Sequence, residues 1–265
     1  MTPVVLTVAG SDPSGGAGVQ GDLKTIHQHG AYGAAVVSLL TVQDTRGVSE
    51  AQVLDPAIVE AQLDGVLRDL QPAAAKTGAL GSPEIVSRVG RRIAASGIPW
   101  VIDPVSVPSH GARLATADLT EAFLEHLLPC ASLVTPNVPE AEGLSGVPVR
   151  TLADAAKAAE RLVGFGAKAV LVTGGHLDPP ERGTDVLSYE GSVIEFPPTR
   201  VLGGSFHGTG CALSAAIATH LAFGRAVPDA VARGKAWLEA SLAHAFAVGA
   251  GAVPVNHLWP VDDEP

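Results

Sequence analysis

The sequence contains only two cysteines, Cys130 and Cys211, among its 265 residues. Two cysteines cannot form the disulfide framework of a small secreted protein, so we expect a reducing compartment and a cytoplasmic protein. Basic residues are also few: 17 stand against 27 acidic ones, and the formal net charge is −10. Because nucleic acids and anionic membranes attract basic surfaces, this balance argues against both as partners.

Long apolar runs are missing as well. The run at 4–9 ends at Gly10, Ser11 and Asp12, far short of the roughly 20 residues that a membrane helix needs. Residues 1–6 carry no basic side chain and so do not predict a signal peptide. No cysteine or histidine spacing is typical of a structural metal site; His27 and His29, two apart in a predicted helix, would face in different directions.

What the chain does contain is a high apolar content, 46%, which is enough for a large core. Short β-type runs alternate with longer helical patterns along its whole length. This alternation predicts a single α/β domain over residues 1–265, with a mainly parallel sheet and helices on both faces. No linker-like segment or internal repeat interrupts it.

The strands are predicted at 4–9, 34–42, 73–76, 99–103, 131–135 and 168–173, with a hairpin formed by 185–189 and 192–196. The helices are predicted at 17–29, 56–70, 83–96, 117–128, 209–223 and 228–248. One further helix begins at a capping box of Thr151 and Asp154 and runs to about Phe165.

Polar or glycine-rich clusters follow most of the predicted strands. They lie at 10–12, 43–44, 76–78, 103–104, 135–137 and 173–175. Any one of them is more typical of a simple turn, but ligands of such sheets bind beyond the carboxyl ends of the strands. The set as a whole therefore predicts a site there, with Asp103 and Asn137 as prominent candidates.

The glycine-rich loop after the first strand has two interpretations. Gly16, Gly18 and Gly21 match the G-x-G-x-x-G string of dinucleotide-binding folds, and the acidic Asp44 follows near the end of the second strand. However, six residues, 10–15, separate the strand from the first of these glycines, whereas in that motif the glycine follows almost at once. The spacing argues against an NAD-dependent dehydrogenase, and no Gly-Lys-Ser/Thr of a P-loop is present.

A second glycine cluster, His207-Gly208-Thr209-Gly210-Cys211, runs directly into a predicted helix. Unpaired N–H groups at such a helix start suit an anion, most naturally a phosphate; the alternative is an ordinary helix start with Thr209 as the N-cap. At this position the thiolate of Cys211 would be stabilised and its pKa lowered, which makes it a candidate base or nucleophile. The alternative is a small buried side chain.

The segment 135–142 places Glu140 in the first turn of a short helix. This carboxylate either complements the helix dipole or helps to hold Mg²⁺ near nucleotide phosphates, usually through water.

These segments together resemble the hydroxymethylpyrimidine/phosphomethylpyrimidine kinases of thiamine biosynthesis, which have the ribokinase-like fold. The matching stretches are AGSDPSGGAGVQGDLKT (9–25), GAYG (30–33), QDTRGV (43–48), AAKTGAL (74–80), VIDPV (101–105), LVTPNVPEAEGL (133–144), GGH (174–176) and HGTGCALSAAIA (207–218). The resemblance implies a three-layer α/β/α sandwich that transfers the γ-phosphoryl group of ATP. The implied acceptor is the alcohol of 4-amino-5-hydroxymethyl-2-methylpyrimidine and then its monophosphate.

The resemblance also implies roles for single residues. Asp22 and Gln43 would hydrogen-bond the aminopyrimidine, and Gly10, Ala79 and Val105 would line its pocket. Gly208, Thr209 and Gly210 would form the anion hole for the phosphoryl group. Asp103, Asn137 and Glu140 would position Mg²⁺ and its waters, and Thr173 would lie at the nucleotide. Cys211 takes the place of the aspartate base of most ribokinase-like enzymes. A homodimer is implied as well.

The chain departs from the family pattern in four places. Thr173 stands where the family usually has lysine, 203–206 differs from the usual Lys-Asn-Thr, 108–111 replaces a Lys-Ser-Gly pattern, and Asp44 replaces asparagine. Two alternatives therefore stay open: a pyridoxal kinase, since related enzymes accept that alcohol, and a non-catalytic pyrimidine-binding regulatory protein.

Overall fold

The computed structural model describes residues 1–105, 117–199 and 204–260. Its strands, in chain order, are β1 (Val4–Ala9), β2 (Tyr32–Val37), β3 (Leu39–Asp44), β4 (Gly47–Val53), β5 (Ala74–Thr77), β6 (Trp100–Ile102), β7 (Leu133–Val134), β8 (Ala169–Val172), β9 (Asp185–Tyr189), β10 (Ser192–Phe196), β11 (Phe206–His207) and β12 (Val253–Pro254). Its α-helices are α1 (Gly18–Gln28), α2 (Pro56–Asp69), α3 (Pro83–Ser96), α4 (Ala117–Ala122), α5 (Val138–Ser145), α6 (Leu152–Gly164), α7 (Thr209–Ala222) and α8 (Val227–Ala243).

Eight strands form the central sheet in the order β10-β9-β8-β7-β6-β5-β1-β2. Six neighbouring strands of this sheet are parallel: β8, β7, β6, β5, β1 and β2. At one edge β9 and β10 form an antiparallel hairpin. Because parallel strands need crossover helices, helices cover both faces and the strands are buried on both sides. The predicted fold class, a mainly parallel ribokinase-like α/β/α sandwich, is confirmed.

Two hydrophobic clusters separate the layers. Alternating residues of β1 enter opposite clusters: Leu6 and Val8 pack with α2, α3, α5 and α6, whereas Val5 packs with α1, α7 and α8. This alternation follows from the two-residue period of a strand. Within the described ranges, no helix combines the length and the apolar character needed to cross a bilayer.

The prediction of one strand over 34–42 is wrong. The chain leaves the central sheet at Ser38, whose N–H donates to the carbonyl of Ala9 and whose hydroxyl donates to the carbonyl of Ala79. After this break β3 pairs with β4 in a separate antiparallel hairpin, and the sequence analysis did not predict β4. Periodicity alone hides the break because apolar residues continue on both sides of it.

Two helix boundaries also differ from the prediction. The helix predicted at 117–128 is α-helical only to Ala122, and a π-helical turn and a 3₁₀ turn continue it to Cys130. The last helix ends at Ala243 rather than at 248. There Asn256 donates its side-chain amide to the carbonyl of His244, and the returning segment adds β12 beside β11.

Candidate active site

A cleft of about 450 Å³ opens at the carboxyl ends of the parallel strands. It is bounded by the glycine loop before α1, the β3–β4 hairpin and the first turn of α7. Nearly all of the predicted site residues line it: Gly10, Gln43, Ala79, Asp103, Val105, Asn137, Glu140, Thr173, Gly208, Thr209, Gly210 and Cys211. The structure thus brings together twelve of the thirteen predicted positions, all except Asp22, although their roles stay predictions.

The first turn of α7 has the geometry of an anion cradle. Gly208 is the N-cap residue, with φ +81°, and no side chain caps the helix, so the alternative in which Thr209 is the N-cap is wrong. Ala212 makes the first N–H bond to the carbonyl of Gly208, at 2.9 Å. The N–H groups before it belong to the turn that a helix leaves without internal partners. A Cβ atom on Gly208 would overlap the carbonyl oxygen of Gly16, so this turn requires glycine.

Asp103 lies beside this cradle. Its carboxylate is 5% exposed, accepts a hydrogen bond from Ser214 at 3.2 Å, and has one oxygen 3.7 Å from the position that a Cβ atom would take on Gly210. Burial raises the pKa of Asp103 to about 6, with Lys76 opposing and Asp22 adding to the increase. The site therefore holds a carboxylate close to the place where an anion would bind.

Asn137 and Glu140 form a reciprocal capping box at the start of α5. The side chain of Asn137 accepts from the N–H of Glu140, and the side chain of Glu140 accepts from the N–H of Asn137, each at 3.0 Å. Glu140 thus lies in the first turn of α5, as predicted, and both side chains line the cleft. The predicted contact of Glu140 with Mg²⁺ stays a prediction.

Asp22 is the one predicted residue that does not line the cleft. It is fully buried and accepts hydrogen bonds from Thr7 at 2.6 Å and from the ammonium of Lys76 at 3.0 and 3.1 Å. Burial alone would lower the pKa of Lys76, but the carboxylate of Asp22, together with that of Asp103, raises it, so Lys76 is charged. The predicted hydrogen bond from Asp22 to a ligand stays a prediction, and in this structure the carboxylate lies beneath the cleft surface.

The expectation of a lowered pKa for Cys211 is wrong. Burial raises the pKa of this thiol to about 12; Lys76 opposes the increase, and Asp22 and Asp103 add to it. The backbone N–H of Gly18 donates to the sulfur but does not reverse the shift. In the ligand-free protein Cys211 is therefore a neutral thiol at pH 7, because burial and two carboxylates outweigh the helix dipole.

Sequence analysis missed a hydrogen-bonded pair in the lining of the cleft. The ring nitrogen Nε2 of His207 lies 2.8 Å from one carboxylate oxygen of Asp12. Asp12 is 2% exposed and also accepts hydrogen bonds from Ser14 and Ala17. Burial would raise the pKa of Asp12, but the hydrogen bonds from His207 and Ser14 hold it at about 2. The position of His207 directly before Gly208 was the available signal.

Two cations that sequence analysis also missed line the end of the cleft near Thr173. Lys235 of α8 donates to the carbonyl of Gly183 at 2.6 Å and to Asp185 at 2.8 Å. Arg182 is exposed and donates through Nε to the carbonyl of Leu177. Arg182 brings positive charge to the region where Thr173 stands in place of the family's lysine, whereas the charge of Lys235 is paired with Asp185 and Glu239. The replaced patterns at 108–111 and at 203 lie outside the described residues.

The fold and this cleft define a small-molecule kinase of the ribokinase-like class. Comparison with known proteins resolves the class further. A sequence model described as phosphomethylpyrimidine kinase matches residues 12–256, and the chain belongs to this family.

Individual relatives agree with this placement. The chain is 41% identical over 260 residues to the hydroxymethylpyrimidine/phosphomethylpyrimidine kinase of Rhizobium meliloti, with 97% of each chain covered. It is 42% identical over 260 residues to the thiamine biosynthesis bifunctional protein ThiED of Geobacter sulfurreducens, covering 98% of this chain but 53% of that protein. The chain thus spans about half the length of this second relative. Among solved structures, pyridoxal kinase from Staphylococcus aureus in complex with AMP-PCP and pyridoxal has a TM-score of 0.88 and 32% identity, covering 97% of this chain and 94% of that one.

Proposed function

We propose that the protein transfers the γ-phosphoryl group of ATP to the alcohol of 4-amino-5-hydroxymethyl-2-methylpyrimidine and then to the phosphate of the product. The observation that carries the proposal is a single cleft that contains both the anion cradle of α7 and the pocket residues Gln43, Ala79 and Val105. The name of the relative from Rhizobium meliloti supports the same reaction.

The phosphoryl group would bind at Gly208, Thr209 and Gly210. N–H groups fixed before the reaction stabilise charge that develops on the transferred group without reorganisation. The alcohol oxygen forms a bond to the γ-phosphorus while the bond to the β–γ bridging oxygen breaks; ADP leaves, and the proton of the alcohol passes to solvent water. Phosphoryl transfer depends mainly on positioning and charge stabilisation, so the chain needs no strong base.

Asp103 fits a bound Mg²⁺. A buried carboxylate beside an anion cradle repels a phosphate unless a cation lies between the two groups. Oxygen ligands and bound phosphates are the usual surroundings of Mg²⁺ in proteins, and Asp103, Asn137 and Glu140 line one part of the cleft. When bound, Mg²⁺ would neutralise charge on the phosphates.

Cys211 would orient the substrate alcohol. Its thiol is neutral before ligands bind, so we assign it a hydrogen bond to the alcohol oxygen rather than the removal of a proton from the resting enzyme. Cys211→Ala should lower kcat about tenfold or more and leave pyrimidine binding largely intact. Cys130 is a partly buried cysteine that packs against the core, so Cys130→Ala is the matched control and should leave kcat unchanged.

A kinase assay with product masses tests the proposal. The purified chain is given ATP and Mg²⁺ with the pyrimidine alcohol, its monophosphate or pyridoxal. Pyrimidine mono- and diphosphates are expected. Formation of pyridoxal phosphate alone would replace the proposal by a pyridoxal kinase, the activity named for the Staphylococcus aureus structure. Binding of the pyrimidine without turnover would instead indicate a regulatory protein.

We also propose a cytoplasmic homodimer. Two unpaired cysteines are consistent with a reducing compartment. Sedimentation of the purified chain tests the dimer.

A further inference from the structure

The imidazole of His207 lies between Asp12 and Gln43 in the cleft. Its nitrogen Nε2 is 2.8 Å from Oδ2 of Asp12 and 3.1 Å from the amide nitrogen of Gln43. An imidazole nitrogen either carries a proton and donates or lacks one and accepts. Nε2 therefore cannot donate to Asp12 and at the same time accept from the amide of Gln43.

Asp12 decides which role Nε2 takes. Its buried carboxylate is ionised at neutral pH, since its pKa is held at about 2. An ionised oxygen at 2.8 Å needs a donor, so Nε2 carries the proton. The amide group beside a donor must then present its oxygen. A half-turn of the planar amide exchanges oxygen and nitrogen within the same volume, so this requirement costs no space.

Thr41 on the other side of the amide supports the same orientation. The hydroxyl of Thr41 lies 2.7 Å from the carbonyl oxygen of Ser11 and 3.2 Å from the amide of Gln43. It has one proton, which the short bond to the carbonyl of Ser11 uses. The hydroxyl oxygen can then accept an N–H of Gln43. With this orientation the single N–H of Nε2 is shared between Asp12 at 2.8 Å and the amide oxygen of Gln43 at 3.1 Å, and an N–H of Gln43 has the hydroxyl oxygen of Thr41 as its acceptor.

We propose that His207, held by Asp12, is a positioning residue that fixes the carboxamide of Gln43 with one N–H directed into the cleft, where it donates to a ring nitrogen of the heteroaromatic alcohol. This inference rests on the proposed function. Gln43 lines the cleft, and one of its amide protons has no partner in the part of the chain that the structure describes. The bulge between Val42 and Gln43 in β3 helps to aim this side chain, as bulges near active sites do.

A double-mutant cycle tests the positioning role. His207→Ala should raise the KM for the pyrimidine about 10- to 100-fold, since a hydrogen bond to the ring is lost, and change kcat less. In a Gln43→Ala background the same substitution should change this KM less than about threefold, because the residue it acts through is gone. An equal factor in both backgrounds would overturn the proposal. His27→Ala, an exposed histidine of α1, is the matched control.

The polarity of Gln43 is tested separately. Gln43→Glu has two acceptor oxygens and cannot donate, so its KM for the pyrimidine should rise about 10- to 100-fold. Two analogues of the pyrimidine each have one ring nitrogen replaced by CH. The analogue that lacks the acceptor of Gln43 should bind the native protein about as weakly as the pyrimidine binds Gln43→Glu. The affinity of this analogue should not fall further in Gln43→Glu. Unchanged or tighter binding by Gln43→Glu would overturn the proposal.

These measurements stay distinct from a failure of the proposed function. Calorimetric binding of the pyrimidine and of the two analogues needs no turnover, so it tests the orientation of Gln43 even in a protein without kinase activity. If His207→Ala fails to fold, as seen in its thermal unfolding, Gln43→Glu and the analogues decide the matter. If neither analogue binds more weakly than the pyrimidine, the assigned hydrogen bond is absent.

Discussion

Removal of Asp22 should destabilise the protein strongly. Asp22 of α1 and Lys76 of β5 are both fully buried, and their closest charged atoms are 3.0 Å apart. Asp22→Ala would leave the ammonium of Lys76 without its main counter-charge in the interior. Breaking a buried ion pair by removing one partner costs about 3–5 kcal/mol. In a domain of this size each kcal/mol shifts the melting temperature by about 2–4 °C, so we expect a decrease of about 6–20 °C.

Thermal unfolding of three variants at pH 7 measures this effect. Asp64→Ala is the matched control, because Asp64 pairs with Arg92 at the surface with 41% of its side chain exposed. Loss of such a pair costs about 0–1 kcal/mol. The double variant Asp22→Leu with Lys76→Met removes both charges and should recover most of the lost stability.

Two results would refute this reasoning. A melting temperature of Asp22→Ala as close to the native value as that of Asp64→Ala would show that the buried pair does not stabilise the fold. A double variant no more stable than Asp22→Ala would show that the unpaired charge is not the cause. If Asp22→Ala weakens pyrimidine binding without loss of stability, the role that the family resemblance implies for Asp22 would hold instead.

Three further predictions concern the cradle, the metal and acid stability. Gly208→Ala should lower kcat/KM at least about 100-fold, because it forces a strained φ and an overlap with Gly16. Gly210→Ala should lower kcat/KM less, since its added methyl group would lie 3.7 Å from Asp103. Equal losses in steady-state kinetics would contradict the geometry. The KM for Mg-ATP should rise as the pH falls below about 6, because protonation of Asp103 removes a cation ligand. Asp103→Asn should abolish this pH dependence. A KM of the native protein that does not change with pH would count against the assignment. Burial lowers the pKa of His220 to about 4, so the folded state binds a proton at this histidine less readily than the unfolded state does. Above pH 6.5 the histidine is neutral in both states and stability is fully present; about 3 kcal/mol of it is lost as the pH falls to 4. His220→Leu should flatten that part of the stability profile in denaturant titrations, and an unchanged slope would refute the assignment.

Features whose cause is local could be predicted from the sequence. The capping box of Thr151 and Asp154 begins α6 as expected. The hairpin around Glu190 and Gly191 has the predicted strand bounds, since both turn residues adopt positive φ. The glycines at 208 and 210 predicted the start of α7, because the conformation of a helix start depends on a few neighbouring residues. The positions of most cleft residues followed from the rule that parallel strands present their carboxyl ends at one edge.

Features that depend on residues distant in sequence could not be predicted from local sequence patterns. Asp22 lies on a helix where an acidic residue normally indicates a solvated face, and its partner Lys76 is 54 positions away. The helix dipole at Cys211 predicts a lowered pKa, but carboxylates from α1 and from the end of β6 contribute to the opposite result. The hydrogen bond between Asp12 and His207 joins positions 195 apart. Composition and periodicity carry no information on such contacts.

The arrangement of charge beneath the cleft supports the proposal that a nucleotide binds there together with a cation. Four side chains meet here: Asp22 of α1, Lys76 of β5, Asp103 directly after β6 and Cys211 of α7. Lys76 is paired with Asp22, and Cys211 is neutral, so the carboxylate of Asp103 is the charge left to act on the cleft. It lies beside the positive end of α7. A phosphate alone would meet the carboxylate, and a cation alone would meet the helix terminus. A phosphate with its bound cation satisfies both, and this requirement comes from the chain's own charges rather than from the identity of the acceptor.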